Sequence, residues 1–273
     1  PLRQGGPVMA KTTERTLDMA GANLRLRIHY PRIDARLPAL IYLHGGGFTL
    51  FSIDTHDRLM REYASAADVA VIGVDYPLSP DFKYPVALNS ITALLSWLAD
   101  HASTLGIDPG RLAIGGDSAG ANLTVAACLK QRDLERPQPQ AMLLNYGAFT
   151  GRCSDQAEAR FGGPNAVLNQ AEMLWFYDNY LPDESGYDDP YACPILADLT
   201  GLPPALLIVP DQDLLSEQSF VMADHFAAAG VPFETRVYPG ATHSFLEAMA
   251  SAPLAMRAIR DGADWIKTQL QRP

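Results

Sequence analysis

Gly116-Asp117-Ser118-Ala119-Gly120 sets a serine midway between two glycines. That G-x-S-x-G spacing suits a nucleophile elbow, a sharp strand-to-helix turn that pushes a hydroxyl out of the backbone toward a carbonyl carbon. The same pentapeptide also occurs in ordinary turns, so its flanks must decide. A second run, His44-Gly45-Gly46-Gly47-Phe48, offers backbone N–H groups unshielded by side chains. Such groups can face the oxygen that becomes negative during acyl transfer. Gly46 and Gly47 are the expected donors, with Ala119, at the positive end of the helix after the serine, as a third. Three glycines would equally serve a tight turn, and His44 is read as a structural, hydrogen-bonded histidine supporting the run together with Gly45.

A serine hydroxyl is a weak nucleophile at neutral pH and needs a base that an acid orients. Both partners are available downstream. Asp213 stands in Pro210-Asp211-Gln212-Asp213-Leu214, and His243 in Tyr238-Pro239-Gly240-Ala241-Thr242-His243. Each follows an apolar stretch of strand character, in the chain order Ser, Asp, His. Asp211 also fits as the acid on spacing alone; Asp213 is preferred, and either could be a loop carboxylate or helix cap. His29, His56, His101 and His225 fall on strand-like or helix-like stretches and read as surface or packed histidines. With no H-E-x-x-H, G-x-G-x-x-G or P-loop, neither a metal nor a nucleotide cofactor is expected.

The elements that must hold these residues follow from periodicity. Residues 24–28 alternate as a half-exposed strand, whereas 39–43 are apolar without interruption, as in a buried one. Residues 69–74, 111–114, 141–144, 205–209 and 233–238 read as further strands. Helical spacing appears over 56–67, 86–101, 119–132, 214–229 and 254–270. This alternation predicts an α/β fold with a mostly parallel central sheet flanked by helices. The serine then sits between strand 111–114 and helix 119–132, the context that the elbow requires. Residues 151–198 break the rhythm with Gly162-Gly163-Pro164, Trp175-Phe176-Tyr177 and acidic pairs, as expected of a small lid insertion. Phe48, Asp117 and Trp175 are the expected substrate contacts, although packing explains such aromatics as simply. Glu217 and Asp117 could lend supporting polar contacts.

A chain of 273 residues, 48% hydrophobic and 19% charged, can bury the core of one domain spanning 1–273. Its net charge of −10, with scattered basic residues, argues against nucleic acid and favours a small-molecule ligand. Cys128, Cys153 and Cys193 have no C-x-x-C spacing and read as reduced thiols of a cytoplasmic protein. No apolar run reaches membrane-span length, and Pro1 to Thr13 lack a signal-peptide segment. A homodimer is compatible with this composition without being specified by it.

Together, the glycine run and Gly116-Asp117-Ser118-Ala119-Gly120-Ala121-Asn122-Leu123 resemble the hormone-sensitive-lipase-like family of α/β-hydrolases. Within that family, Asp54-Thr55-His56-Asp57-Arg58, Asp75-Tyr76-Pro77-Leu78-Ser79-Pro80 and Pro190-Tyr191-Ala192-Cys193 are similar to bacterial acetyl esterases. The resemblance implies the α/β-hydrolase fold and cofactor-free hydrolysis of short acyl esters. It also implies a triad of Ser118, Asp213 and His243, with Gly46, Gly47 and Ala119 as the oxyanion hole. The family's acid motif D-P-L-R-D-E reads Asp213-Leu214-Leu215-Ser216-Glu217-Gln218 here, which keeps the acid in register but changes its neighbours. N-terminal lid helices usual in the family are expected to be absent. A receptor on the same fold would lack the histidine present here as His243. An amidase or peptidase would use the same residues, so that alternative stays open.

Overall fold

The structure, a computed structural model, describes residues 5–271, so Pro1 to Gln4 of the segment read for a signal peptide lie outside the described residues. Its centre is β3 (Leu37–Leu43), in which every side chain is buried. Strand alternation divides those side chains: Leu40 and Tyr42 enter one core, while Ala39, Ile41 and Leu43 enter the other. A strand covered on both faces has no polar side to show, hence its continuous apolar sequence.

Around it lie β1 (Lys11–Met19), β2 (Ala22–Tyr30), β4 (Ala70–Asp75), β5 (Ile107–Asp117), β6 (Met142–Asn145), β7 (Ala205–Gln212) and β8 (Phe233–Thr242). The sheet order is β1-β2-β4-β3-β5-β6-β7-β8. β1 and β2 join antiparallel at one edge, and the other six strands run parallel. α1 (Asp57–Ala67) and α7 (Pro253–Leu270) bury residues in the core on one face. α2 (Val86–His101), α3 (Ala119–Asp133) and α6 (Ser216–Ala228) bury theirs on the other.

Two features depart from the periodicity reading. β1 was not expected, because eight of its nine residues are at least partly exposed and show no apolar alternation; pairing with β2 makes it a strand. Residues 151–198 are more regular than their composition suggests, since they contain α4 (Asp155–Phe161) and α5 (Gln170–Tyr180). Their starts are defined by side-chain caps, with Ser154 accepting from the Ala157 N–H and Asn169 and Glu172 forming a reciprocal capping box.

Between β5 and α3 the chain reverses within one residue. A Cβ on Gly116 or on Gly120 would overlap the carbonyl oxygen of Leu43 at the end of β3. That contact is with backbone, so no rotamer change relieves it. Gly120→Ala should therefore cost about 2–3 kcal/mol and lower Tm by roughly 5 °C or more, read by thermal unfolding; an unchanged Tm would refute the close approach.

Candidate active site

At the reversal Ser118 adopts φ 53° and ψ −116°, a region that non-glycine residues rarely enter. Holding it there costs about 1–3 kcal/mol. The turn is held from both sides: the Ser118 N–H donates to the Asn145 carbonyl at 2.9 Å, and its own carbonyl accepts from Ala121, Asn122 and Ala148 at 3.1–3.2 Å. Asn122, one turn along α3, donates in turn to the Ala148 and Ala192 carbonyls at 2.8 and 3.0 Å. This buried amide thereby ties the helix behind the serine to the segment after α5.

Ser118 Oγ lies 3.1 Å from His243 Nε2, and His243 Nδ1 lies 2.8 Å from Asp213 Oδ2. An ionised carboxylate only accepts, so Nδ1 carries the proton and Nε2 is left to take one from the serine. Burial opposes a charged His243, but the charge of Asp213, its hydrogen bond and the charge of Asp117 outweigh it and raise the pKa above 6.5. Asp213 itself is steadied by the Leu215 N–H at 3.0 Å. Asp211, the other acid open on spacing, instead accepts from the Gly240 N–H at 2.7 Å.

Across from the serine, Gly46 and Gly47 have φ of 109° and 57°. Side chains there would meet the Leu50 carbonyl and the Phe176 ring, respectively. Neither N–H has a backbone acceptor among the described residues, and that of Ala119 is the first of α3, which no intrahelical partner can satisfy. Gly45 is held bare by the Asp117 carboxylate. His44 Nδ1 donates to the Gly45 carbonyl at 2.7 Å, and its ring stacks on Tyr76 at 4.4 Å. Burial, aided by the charge of His56, pushes its pKa down to about 4, so it is neutral.

These groups open on a cavity of about 350 Å³. Gly46, Gly47 and Ser118 form part of its wall, with Leu168, Met173, Phe176 and Tyr177 from the segment between β6 and β7. Phe48 borders it too, buried and stacked on Tyr180 at 3.8 Å. Trp175 does not: it is 50% exposed, because one residue of helix turns it away from the side of α5 that carries Met173, Phe176 and Tyr177. Asp117 borders the cavity, but its Oδ1 accepts from Tyr42 at 3.0 Å and its Oδ2 sits 3.4 Å from His56. His56, read above as an ordinary helix histidine, is buried just ahead of α1 and faces the cavity. The signals that could have marked it out are its place in Asp54-Thr55-His56-Asp57-Arg58 and its nearness to the glycine run. The changed neighbours of Asp213 also have work: Glu217 accepts from Ser154 N and Oγ at 2.8 and 2.6 Å, and Gln218 Oε1 from the Phe149 and Thr150 N–H groups at 2.8 and 3.1 Å. Among the described residues no group of three His, Cys, Asp or Glu could hold a metal ion, and no helix is long and apolar enough to cross a membrane.

Residues 40–247 match a family model described as the alpha/beta hydrolase fold. Among solved structures, the chain is similar to a hyperthermophilic esterase from the archaeon Pyrobaculum calidifontis, with 33% identity and a TM-score of 0.93 over 98% of this chain and 85% of that one. A thermophilic, thermostable carboxylesterase cloned from a metagenomic library matches at 33% identity and a TM-score of 0.94, over 98% and 92%. A thermostable esterase from Pseudomonas putida matches at 30% and 0.92, over 96% and 84%.

If the hydrogen-bonded serine is the reactive group, a fluorophosphonate probe should label the chain at Ser118 alone, and Ser118→Ala should abolish labelling. The base must be neutral to act, so the labelling rate should rise with pH through a midpoint above 6.5 and fall away below it. A rate independent of pH from 5 to 9 would contradict the role of His243.

Proposed function

The chain belongs to the hormone-sensitive-lipase-like family of α/β-hydrolases and is a carboxylic ester hydrolase, and on that premise we propose that it cleaves short-chain acyl esters, acetyl to butyryl, through an acyl-enzyme on Ser118. As Ser118 Oγ attacks the ester carbonyl, its proton passes to His243 Nε2, and Asp213 stabilises the imidazolium that forms. The N–H groups of Gly46, Gly47 and Ala119 receive the oxyanion, each such donor contributing about 3 kcal/mol. His243 returns the proton to the departing alcohol, and water then repeats the attack on the acyl-enzyme.

The observation that carries this reading is the Ser118, His243 and Asp213 relay, at 3.1 and 2.8 Å, opening on the cavity of about 350 Å³. A space of that size suits a small ester. Residues 151–198 act in this reading as the lid of a single domain, because Leu168, Met173 and Phe176 cover the cavity. Phe176, set against Gly47, limits the acyl chain in place of Trp175.

Hydrolysis of p-nitrophenyl esters of increasing acyl length should peak between acetate and butyrate and drop about tenfold or more for long chains, where each further methylene must displace packed side chains. Ser118→Ala should lower kcat by about 10⁴ or more. A peak at long chains would overturn the acyl-length assignment, and turnover retained in Ser118→Ala would overturn the nucleophile.

A further inference from the structure

The nucleophile and its base come from loops 125 residues apart, and a hydrogen bond of 3.1 Å between them leaves little room for drift. The elbow is pinned to β6 through Asn145, but the loop carrying His243 needs its own link to the elbow. His56 lies between the two. Its Nε2 is 3.4 Å from Oδ2 of Asp117, the residue before the nucleophile. The same nitrogen is 3.5 Å from Oε1 of Glu247, four residues after the base, in the short 3-10 helix Phe245–Ala248.

Its protonation follows from the other side of the ring. Nδ1 lies 2.8 Å from Thr55 Oγ1, and that hydroxyl also lies 2.7 Å from the Ser52 carbonyl, which can take its proton. With the hydroxyl donating to that carbonyl, it accepts from His56 and the proton sits on Nδ1. A neutral ring with that proton would turn the bare lone pair of Nε2 toward two carboxylates. With the hydroxyl so directed, the doubly protonated ring satisfies both sides.

We propose that His56, held as an imidazolium, is a positioning residue that clamps the nucleophile elbow to the loop bearing the base, and that losing its proton sets the alkaline limit of turnover. The inference rests on the assignment of Ser118 and His243 given above. The groups facing the ring are Asp117 from the end of β5, Glu247 from the 3-10 turn, and the His44 and Phe51 rings, centred 5.5 and 6.0 Å away. Burial disfavours the charged ring, but Asp117, by charge and hydrogen bond, and Glu247 outweigh it and leave the pKa raised. Asp117 is held below the usual carboxylate range by the same contact: burial would raise it, and the charge and hydrogen bond of His56 together with Tyr42 prevail.

The test compares kcat and KM as functions of pH for the wild-type chain, His56→Gln and Glu247→Gln, using p-nitrophenyl acetate, with Ser118→Ala as the blank. The wild type should lose kcat at alkaline pH with little change in KM. His56→Gln should lower kcat about tenfold at the optimum, since misplacing reacting groups by a fraction of an ångström acts on kcat. Its alkaline limb should vanish, and in Glu247→Gln that limb should move to lower pH. Ring ¹⁵N shifts of the full-length wild-type chain, which need no variant, should show both His56 nitrogens protonated at neutral pH. A neutral His56 ring there, or an alkaline limb unmoved in either variant, overturns the clamp. If the wild type shows no Ser118-dependent turnover, the esterase mechanism itself fails, and the ring shifts still decide the state of His56.

Discussion

The Leu43 carbonyl oxygen, wedged against two bare backbone positions of the elbow, is the contact on which the site is built. It exists because β3 and β5 are neighbours at the centre of the sheet. The strands must register so that Leu43 lies beside Gly116, and that register delivers Ser118 and the glycine run after β3 to opposite sides of one small space. The unfavourable backbone angles of Ser118 are offset by hydrogen bonds on both sides of its peptide units. The parallel order onward through β6, β7 and β8 then brings the loops of Asp213 and His243 to the same carboxyl edge.

Three histidines near this edge occupy three electrostatic situations, each set by its neighbours. His44 is buried beside a ring and a carbonyl and stays neutral. His243 has one carboxylate, close and aligned, so its pKa is raised while Nε2 remains directed at the serine. His56 stands between two carboxylates and holds its proton more firmly than a solvent-exposed histidine. In a chain of net charge −10, buried acids beside the reacting atoms would otherwise repel a developing oxyanion. The imidazolium at His56 offsets that field without itself bonding to the nucleophile.

Much of this was legible because it depends on local residue types. The elbow announces itself through glycines that backbone contact requires, and the core strands through unbroken apolar runs. The helix at Val86–His101 has the very bounds its periodicity suggests. What stayed hidden depends on partners far away in sequence. β1 is a strand only because β2 offers it hydrogen bonds, and Trp175 faces outward because α5 turns Met173, Phe176 and Tyr177 toward the cavity. His56 and Asn122 lie in quoted motifs, but what they do there was not readable, since the groups they bind lie 26 to 191 residues away in the chain. The departure at Ser216-Glu217-Gln218 was visible, yet the purpose of Glu217 and Gln218 emerged only when their side chains met residues 149–154.

That last contact binds the chain bordering the cavity to the helix start just beyond Asp213. Glu217 and Gln218 grip the strip of chain leading into α4, so the segment between β6 and β7 and the turn beneath Asp213 share one set of stitches. A chimera that borrowed residues 151–198 from another esterase would keep the Gln218 bonds to Phe149 and Thr150 but put the Ser154 partner of Glu217 at risk. The graft would have to carry position 217 along with it, which makes the unit of inheritance here a discontinuous pair of segments.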